Sequence, residues 1–396
     1  MISFATPSRL SLFANMDAYQ YLLYRSPKLE ELHIRHITAF DCSADIDLYD
    51  PRDIQRDEQL MGRLFDSKST SPLHIKSLIM TEMSLFATER WLHHLSLDAL
   101  TRLDLRDCMG FDRFVTHLVD TLGPHDRLCL NSFSYTKYGD CYYEEEIPIT
   151  SFETLLSCCD LQFLKHISFT TDQAPAATAS SRLLARIAKC SELCYLELGR
   201  GSLNETLDSN IRAALVDIAQ NCQKVEEIVL PLVIDLDTMS VFDGDWGIFG
   251  DLFFCFATLP KVKAIRLVYE PKTNEFPPGH NYGEDDLRRF KELLGKVADS
   301  LLREIAVRLG DSSNVPLLAF GDGKGIGDWE ERYQCIAFDE PLFYEYVIGH
   351  GDTRGGWARQ CHPEKEDFKV FAPDCRRIWT RDRCADGFDP DYMYGI

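Results

Sequence analysis

The chain has 396 residues, of which 45% are hydrophobic, and its formal net charge is −21. This length and composition are typical of a globular protein with a large core, and they exclude a largely disordered chain. Because so negative a chain repels phosphate backbones, we expect no nucleic-acid binding and favour a protein partner with a basic surface.

Membrane insertion and secretion are not expected either. No apolar run approaches the roughly 20 residues that a membrane span needs, and the start MISFATPSRLSLFANMD lacks a signal-peptide pattern. We therefore expect a cytoplasmic or nuclear protein without a membrane partner. The 14 cysteines form no C-x-x-C pair, which favours reduced thiols buried in the core.

A step of three and then two residues between apolar positions recurs along the chain. It fits neither a helical stripe nor an alternating strand alone, so it indicates one unit of a repeat. The nine copies are Leu29, Leu32 and Ile34; Ile75, Leu78 and Met80; Leu100, Leu103 and Leu105; Leu128 with Leu130; Leu164, Ile167 and Phe169; Leu193, Leu196 and Leu198; Val225, Ile228 and Leu230; Val262, Ile265 and Leu267; and Leu302, Ile305 and Val307.

Stretches with the apolar spacing of a helix lie between these copies, so the pattern predicts alternating strands and helices. A doubly wound α/β sheet would alternate in the same way. It would also have longer, wholly apolar strands and a glycine-rich phosphate turn after the first strand, whereas HITAFDCSAD follows the first copy here. The pattern therefore favours a solenoid. The predicted helices are 8–24, 52–65, 111–122, 180–189, 207–220 and 284–300.

The L-x-x-L-x-L step followed by a helix resembles the leucine-rich repeat family, in the cysteine-containing type common among F-box proteins. Cys190 and Cys222 each stand three residues before the first apolar position of a copy. The resemblance implies an α/β horseshoe with irregular repeats, parallel strands on its concave face and helices on its convex face. We assign residues 1–310 to this solenoid and residues 311–396 to a C-terminal capping or extension segment.

The resemblance also implies a function, because F-box proteins of this type are the substrate-recognition subunits of ubiquitin ligases. An F-box is a helical module of some tens of residues ahead of the repeats, whereas 28 residues precede Leu29. Since no F-box is recognisable, docking to a ligase adaptor is in doubt. We expect a non-catalytic scaffold for protein–protein interaction.

Two sets of residues are candidates for partner binding. Residues that alternate with the buried leucines of a strand point to the concave face, which selects Arg106, Tyr195, Glu197 and Arg266. Long connections at 38–50, 131–148, 231–245 and 269–283 hold 14 acidic and two basic residues, and they follow parallel strands, so they are expected on one rim. The rim candidates are Tyr142, Tyr143, Glu144, Glu145, Glu146, Asp235 and Asp237.

Two alternatives accompany these candidates. The loops of a strongly acidic protein are also acidic simply because they are solvated. Secondly, an enzyme with a rim pocket near Asp235, Asp237 and the glycine-rich loop 321–328 is the alternative function. No established catalytic motif supports that enzyme, and the loop lacks the hydroxyl that a phosphate-binding loop carries after its lysine. We expect neither a cofactor nor a metal.

Overall fold

The computed structural model of the protein describes residues 2–5, 20–26, 28–35, 59, 61–65, 72–81, 83–86, 88–106, 108–123, 126–137, 148–171, 177–199, 207–269, 271–275, 284–321, 342–348 and 356–361. The chain divides into two compact units, Met1–Lys224 and Val225–Ile396. Each unit is an α/β unit in which a mostly parallel sheet alternates with helices, an arrangement compatible with a solenoid. No helix among the described residues is long and apolar enough to span a membrane.

The first unit contains seven strands that pair in chain order, and each is parallel to the next. The strands are β1 (Ile2–Ala5), β2 (Glu31–Arg35), β3 (Ser77–Thr81), β4 (Arg102–Arg106), β5 (Ser132–Lys137), β6 (His166–Thr171) and β7 (Tyr195–Leu198). The helices are α1 (Phe111–Thr121), α2 (Pro148–Cys158), α3 (Ala177–Ile187) and α4 (Ser209–Asn221). Short 3-10 turns cover Thr88–Arg90, Leu92–His94 and Leu97–Ala99, and residues 20–25 and 61–65 are helical.

Apolar residues two positions apart form two continuous rows across this sheet. The first row is Leu32, Leu78, Leu103, Phe133, Ile167 and Leu196, and the second is Ile34, Met80, Leu105, Tyr135, Phe169 and Leu198. All twelve side chains are buried. Because side chains of a strand alternate between its two faces, both rows lie on the same side of the sheet.

A backbone carbonyl joins each strand from β2 to β6 to the next strand, and it lies two residues before the first-row residue of its own strand. The carbonyl of Glu30 accepts the N–H groups of Lys76 and Ser77 at 2.8 and 2.9 Å. The same forked pair of hydrogen bonds recurs at the carbonyls of Lys76, Thr101, Asn131 and Lys165. A bond that returns at the same place from β2 to β6 is compatible with a solenoid, in which each unit is held by its neighbour.

The helices cover the apolar side of the sheet. In α2, the ring of Phe152 stacks on Phe133 of β5 and Phe169 of β6, with centroids 5.0 and 4.5 Å apart. At the start of α1, the ring of Phe111 lies 4.2 Å from that of Tyr135. Each fully buried ring of this kind stabilises the fold by about 1.5–3 kcal/mol through removal of apolar surface from water.

A buried thiol also connects two neighbouring helices. The thiol of Cys222 donates to the carbonyl of Ile187, the last residue of α3, at 3.5 Å. The same carbonyl also accepts the Cys190 N–H at 2.9 Å, so the thiol adds a second hydrogen bond that links Cys222 to the end of α3. Burial raises the pKa of Cys190 and of Cys222 to about 12, so both stay protonated at neutral pH. They are free, buried cysteines, as the sequence predicts.

The second unit begins with three parallel strands and ends with two antiparallel ones. The strands β8, β9 and β10 pair in parallel, β11 is antiparallel to β10, and β12 is antiparallel to β11. The strands are β8 (Glu227–Leu230), β9 (Ala264–Leu267), β10 (Leu317–Phe320), β11 (Leu342–Val347) and β12 (Trp357–Cys361). The helices are α5 (Gly247–Ala257) and α6 (Glu284–Leu309), with 3-10 turns at Val241–Asp243 and Ser312–Asn314.

The ninth predicted strand is wrong, because Leu302, Ile305 and Val307 belong to helix α6. An amphipathic helix also spaces apolar residues by three, and here the first two are buried whereas Val307 is 75% exposed. The parallel strand after β9 is β10, with Leu318 and Phe320 at its core positions. The parallel series therefore continues beyond residue 310, where the sequence pattern placed its end.

A second predicted copy is displaced along the chain. In β5, Phe133 and Tyr135 occupy the two core positions, three and five residues after Leu130. The predicted copy at Leu128 and Leu130 therefore lies five residues before the core positions of the strand. Leu128 instead forms an isolated parallel bridge with Cys159, ahead of the strands. Aromatic residues occupy the two core positions at which the repeat pattern expects leucine.

The stacked position of Phe152 generates a stability prediction. Phe152→Ala is expected to lower the free energy of unfolding by about 3–5 kcal/mol, because it removes a ring between two strands and leaves a cavity. Phe163→Ala is the matched control, since Phe163 is 47% exposed and its loss is expected to cost less than about 1 kcal/mol. Urea unfolding followed by circular dichroism measures both, and equal losses would contradict the assigned packing.

Candidate functional site

The side of the first unit's sheet opposite the helices carries mostly polar side chains, and we call it the polar face. Its residues alternate along each strand with the two apolar rows, and Ile79 is the apolar exception. From β2 to β7 the polar members are Glu31, His33, Ser77, Thr81, Arg102, Asp104, Arg106, Ser132, Ser134, Thr136, His166, Ser168, Thr170, Tyr195 and Glu197.

Asp104 is the charged centre of β4. Its carboxylate accepts from the Arg102 Nη2 at 3.2 Å, from the Arg106 Nε at 2.9 Å, and from the Arg106 Nη2. The side chain of Asp104 is only 3% exposed, whereas that of Arg106 is 29% exposed. A forked, charge-assisted contact of this kind fixes the plane of the guanidinium. The buried carboxylate thus holds Arg106 in place at an accessible part of the polar face.

Glu197 is the second charged centre, and it lies on β7. Its Oε2 accepts from the Ser168 hydroxyl at 2.5 Å and from the Tyr195 hydroxyl at 3.3 Å. All three side chains are buried. A buried carboxylate is tolerated only when hydrogen bonds replace its lost hydration, and these hydroxyl groups contribute to that replacement.

Exposure changes along the polar face. In β2 to β5, the side chains of His33, Thr81, Arg106 and Thr136 are half-buried, and the His33 Nε2 lies 3.3 Å from the Thr81 Oγ1. In β7, Tyr195 and Glu197 are buried, although the sequence selects them together with Arg106 as partner contacts. Alternation along a strand correctly places them on this face, but it does not report what covers the face. Arg106 is the accessible member of this set.

Arg266, the fourth concave-face candidate, lies in β9 of the second unit and is also buried. It is in register with Ala319 of β10. On the same side of that sheet, Ala264 and Ala319 pack with Phe343 of β11 in a small apolar cluster. This face of the second unit is therefore mixed in character and is less accessible than the polar face of β2 to β5.

The loops after β8 and β9 lie side by side at one edge of the second unit. Asp235 forms an isolated parallel bridge with Lys272, and the Leu236 N–H donates to the Lys272 carbonyl at 2.9 Å. The carboxylate of Asp237 accepts the N–H of Asn274 at 2.8 Å. For these two loops the structure confirms a common edge, as expected of loops that follow adjacent parallel strands.

The side-chain carboxylates at this edge accept hydrogen bonds from backbone N–H groups. Asp235 Oδ1 accepts from the N–H groups of Asp237 and Thr238 at 3.1 and 3.3 Å, so it stabilises its own turn. The other acidic-loop candidates, Tyr142, Tyr143, Glu144, Glu145 and Glu146, lie outside the described residues, as do residues 322–328 of the glycine-rich loop. Within the described part of the chain, no three His, Cys, Asp or Glu side chains gather where they could hold a metal ion.

Sequence reasoning selects Arg106 but overlooks the partners that position it. The stretch RLDLR, which is β4, already places Arg102, Asp104 and Arg106 two residues apart. Residues at that spacing share one face of a strand, so opposite charges there predict an ion-pair cluster. Motifs for catalysis and for metal binding do not include such an ion-pair cluster, so a search for those motifs does not find it.

The Asp104 centre generates a second prediction. Asp104→Ala is expected to lower the free energy of unfolding by about 3 kcal/mol, because two partly buried guanidinium groups lose their shared counter-charge. Asp285→Ala is the control, since this carboxylate also pairs with an arginine, Arg288, but is 84% exposed, and a small change is expected. Thermal and urea unfolding measure both variants. If the control loses as much as Asp104→Ala, burial is not the cause.

Comparison with known proteins does not assign the chain to a family. No family model matches it, and no curated protein is similar to it in sequence. What the chain is must therefore be inferred from its residues and its geometry.

Proposed function

We propose that the chain is a solenoid of the leucine-rich repeat type that serves as a non-catalytic scaffold for protein–protein interaction. The repeated register of two apolar rows, the forked hydrogen bonds at the strand starts and the helices on one side of the sheet support this repeat type. The observation that carries the function is Arg106, a half-buried arginine whose guanidinium is held in a fixed plane by the buried Asp104.

The polar face suits a protein ligand more than a small substrate. Neighbouring strands lie about 4.8 Å apart, so β2 to β5 present half-buried hydroxyl, imidazole and guanidinium groups over about 15 Å. Broad surfaces of this kind bind through a few ordered anchors surrounded by weaker polar contacts. Arginine is enriched among such anchors, and an arginine already fixed by Asp104 loses little side-chain entropy on binding.

The charge of the chain defines the partner further. With a net charge of −21, long-range attraction favours a protein with a basic surface. The acidic residues of 131–148 and 231–245 are the proposed contacts for that surface, whereas Arg106 is the proposed contact for a carboxylate or carbonyl group of the same partner.

A more specific proposal follows from the resemblance to F-box-associated repeats. In it, the scaffold is the substrate-recognition part of a ubiquitin ligase and acts in the cytoplasm or the nucleus. The resemblance of the repeat and of Cys190 and Cys222 supports this proposal. Co-purification of a ligase adaptor with the chain would support it, and ligase complexes that form equally well without the chain would contradict it.

A site-specific crosslinking experiment tests the polar face. A photo-crosslinking amino acid at Thr136, on the polar face of β5, is expected to capture a partner, whereas one at Ala213, exposed on α4, is not. Arg106→Ala should reduce the Thr136 product about tenfold, because an anchoring arginine is lost. Capture that is equal at both positions, or unaffected by Arg106→Ala, would contradict the proposed surface.

A charge reversal tests the acidic contacts separately. Replacing Glu144, Glu145 and Glu146 with lysine is expected to weaken binding of the crosslinked partner and to reduce its sensitivity to salt, because long-range attraction is lost. Binding is measured with purified partner at low and at high ionic strength. If affinity and salt dependence match those of the unmodified protein, the acidic loops do not contribute.

A further inference from the structure

A groove of about 840 Å³ lies in the second unit between helix α6 and the strands β11 and β12. Its volume is in the range of ligand-binding pockets. The strands contribute Tyr344, Ala358 and Gln360, and the exposed ring of Phe242 stands at its border. The charged residues of α6 along the groove are Arg288, Lys291, Glu292, Lys296, Asp299 and Arg303.

The groove is positive although the chain as a whole is strongly negative. Four basic side chains of α6 line the groove together with two carboxylates. Arg288 pairs with Asp285 and Arg303 pairs with Asp299, so the excess positive charge rests on Lys291 and Lys296. The Asp299 carboxylate accepts from the Arg303 Nε and from the Ala358 N–H, both at 2.8 Å. From Arg288 to Arg303 the helix rises about 22 Å, so the basic groups form an elongated row. An elongated row of cations matches an extended polyanion better than a single small anion.

The floor of the groove is left open by Gly295. A Cβ at this position would meet only the Tyr344 Cε1, at 3.9 Å, so an alanine would fit. Glycine inside a helix costs about 1 kcal/mol relative to alanine. The Tyr344 ring lies beneath this position and lines the groove, although the residue is only 3% exposed. The hydroxyl of Tyr344 is buried and has no hydrogen-bond partner, and burial raises its pKa to about 12. It is therefore a neutral donor at physiological pH.

The backbone edge of β12 borders the same groove. The Ala358 N–H donates to the Asp299 side chain and not to β11, so this residue belongs to a pair whose backbone groups point away from β11. Such pairs alternate along an antiparallel ladder, so the backbone N–H and carbonyl of Gln360 also point away from β11. Outward backbone groups on a strand are the groups that an extended peptide uses when it adds to a sheet.

We propose that this groove binds an acidic peptide segment in an extended conformation. Its carboxylates contact Lys291, Lys296 and Arg303, and its backbone pairs with β12 at Gln360. A length of about 22 Å holds six or seven extended residues at about 3.3 Å each. The Tyr344 hydroxyl donates to a peptide carbonyl or carboxylate above Gly295. This site is separate from the polar face and does not depend on the function proposed for it.

Fluorescence anisotropy with fluorescein-labelled hexaglutamate tests the proposal on the full chain. Saturable binding that weakens severalfold when NaCl rises from about 50 to about 300 mM is expected, because salt screens the contacts. Hexaglutamine and tripolyphosphate are the comparison probes. Stronger binding of tripolyphosphate than of hexaglutamate would overturn the peptide in favour of a phosphate ligand, and equal binding of the neutral hexaglutamine would overturn charge recognition.

Charge reversal locates the site. Lys291→Glu combined with Lys296→Glu is expected to weaken hexaglutamate binding at least about tenfold. Lys189→Glu combined with Lys261→Glu changes the net charge equally at exposed positions outside the groove, and it should change binding less than about twofold. Equal effects of the two pairs would mean that only net charge matters, and the groove would be rejected.

Two further variants separate binding from folding. Tyr344→Phe removes a hydroxyl that has no protein partner, so the melting temperature should not fall while affinity falls about fivefold. Gly295→Leu fills the floor and improves helix propensity, so binding should be lost without loss of stability. Unchanged affinity in both variants would overturn the proposal. A lowered melting temperature in Tyr344→Phe would assign the hydroxyl a structural role and overturn its place in the site.

Discussion

The carbonyl that precedes each strand from β2 to β6 accepts two N–H groups at the start of the next strand, and this forked bond sets the register of the sheet. Among the described residues of this unit no strand is longer than six residues, and none buries enough apolar surface to be stable alone. Stability comes from the two apolar rows, which exist only when all strands are aligned. The helices, the aromatic stack around Phe152 and the polar face all follow from that alignment.

The same register determines the chemistry of the opposite side. A slip of one residue exchanges the two faces of a strand, so it would turn Asp104 into the apolar layer and Leu103 toward solvent. The fixed plane of Arg106 is therefore a consequence of the backbone pairing as much as of the side chains around it. In the second unit the parallel register persists to β10, and there the equivalent side includes an apolar cluster with Phe343.

The three-two spacing of apolar residues is enough to locate seven of the strands, β2 to β4 and β6 to β9. The spacing fails in β5, where Phe133 and Tyr135 occupy the core positions. The core there requires a large apolar side chain, and aromatic residues meet that requirement as well as leucine does. The spacing also fails where an amphipathic helix imitates it, as with Leu302 and Ile305 in α6.

The side of the sheet on which Tyr195 and Glu197 lie could be predicted from alternation. Their burial could not, because it depends on segments that are distant in sequence. The groove beside α6 has no local signal, since its residues come from a helix and two strands far apart in the chain.

The forked carbonyl has a further consequence for how such a chain changes over evolutionary time. The residues that supply it are all polar but otherwise differ in charge and shape: Glu30, Lys76, Thr101, Asn131 and Lys165. Every amino acid carries a carbonyl, so selection for the fold does not constrain identity at these positions. The fold of each strand therefore depends on a few apolar side chains of suitable size and on backbone groups, which every residue has. Two descendants of one ancestor can therefore keep the same architecture after their sequences have lost recognisable similarity.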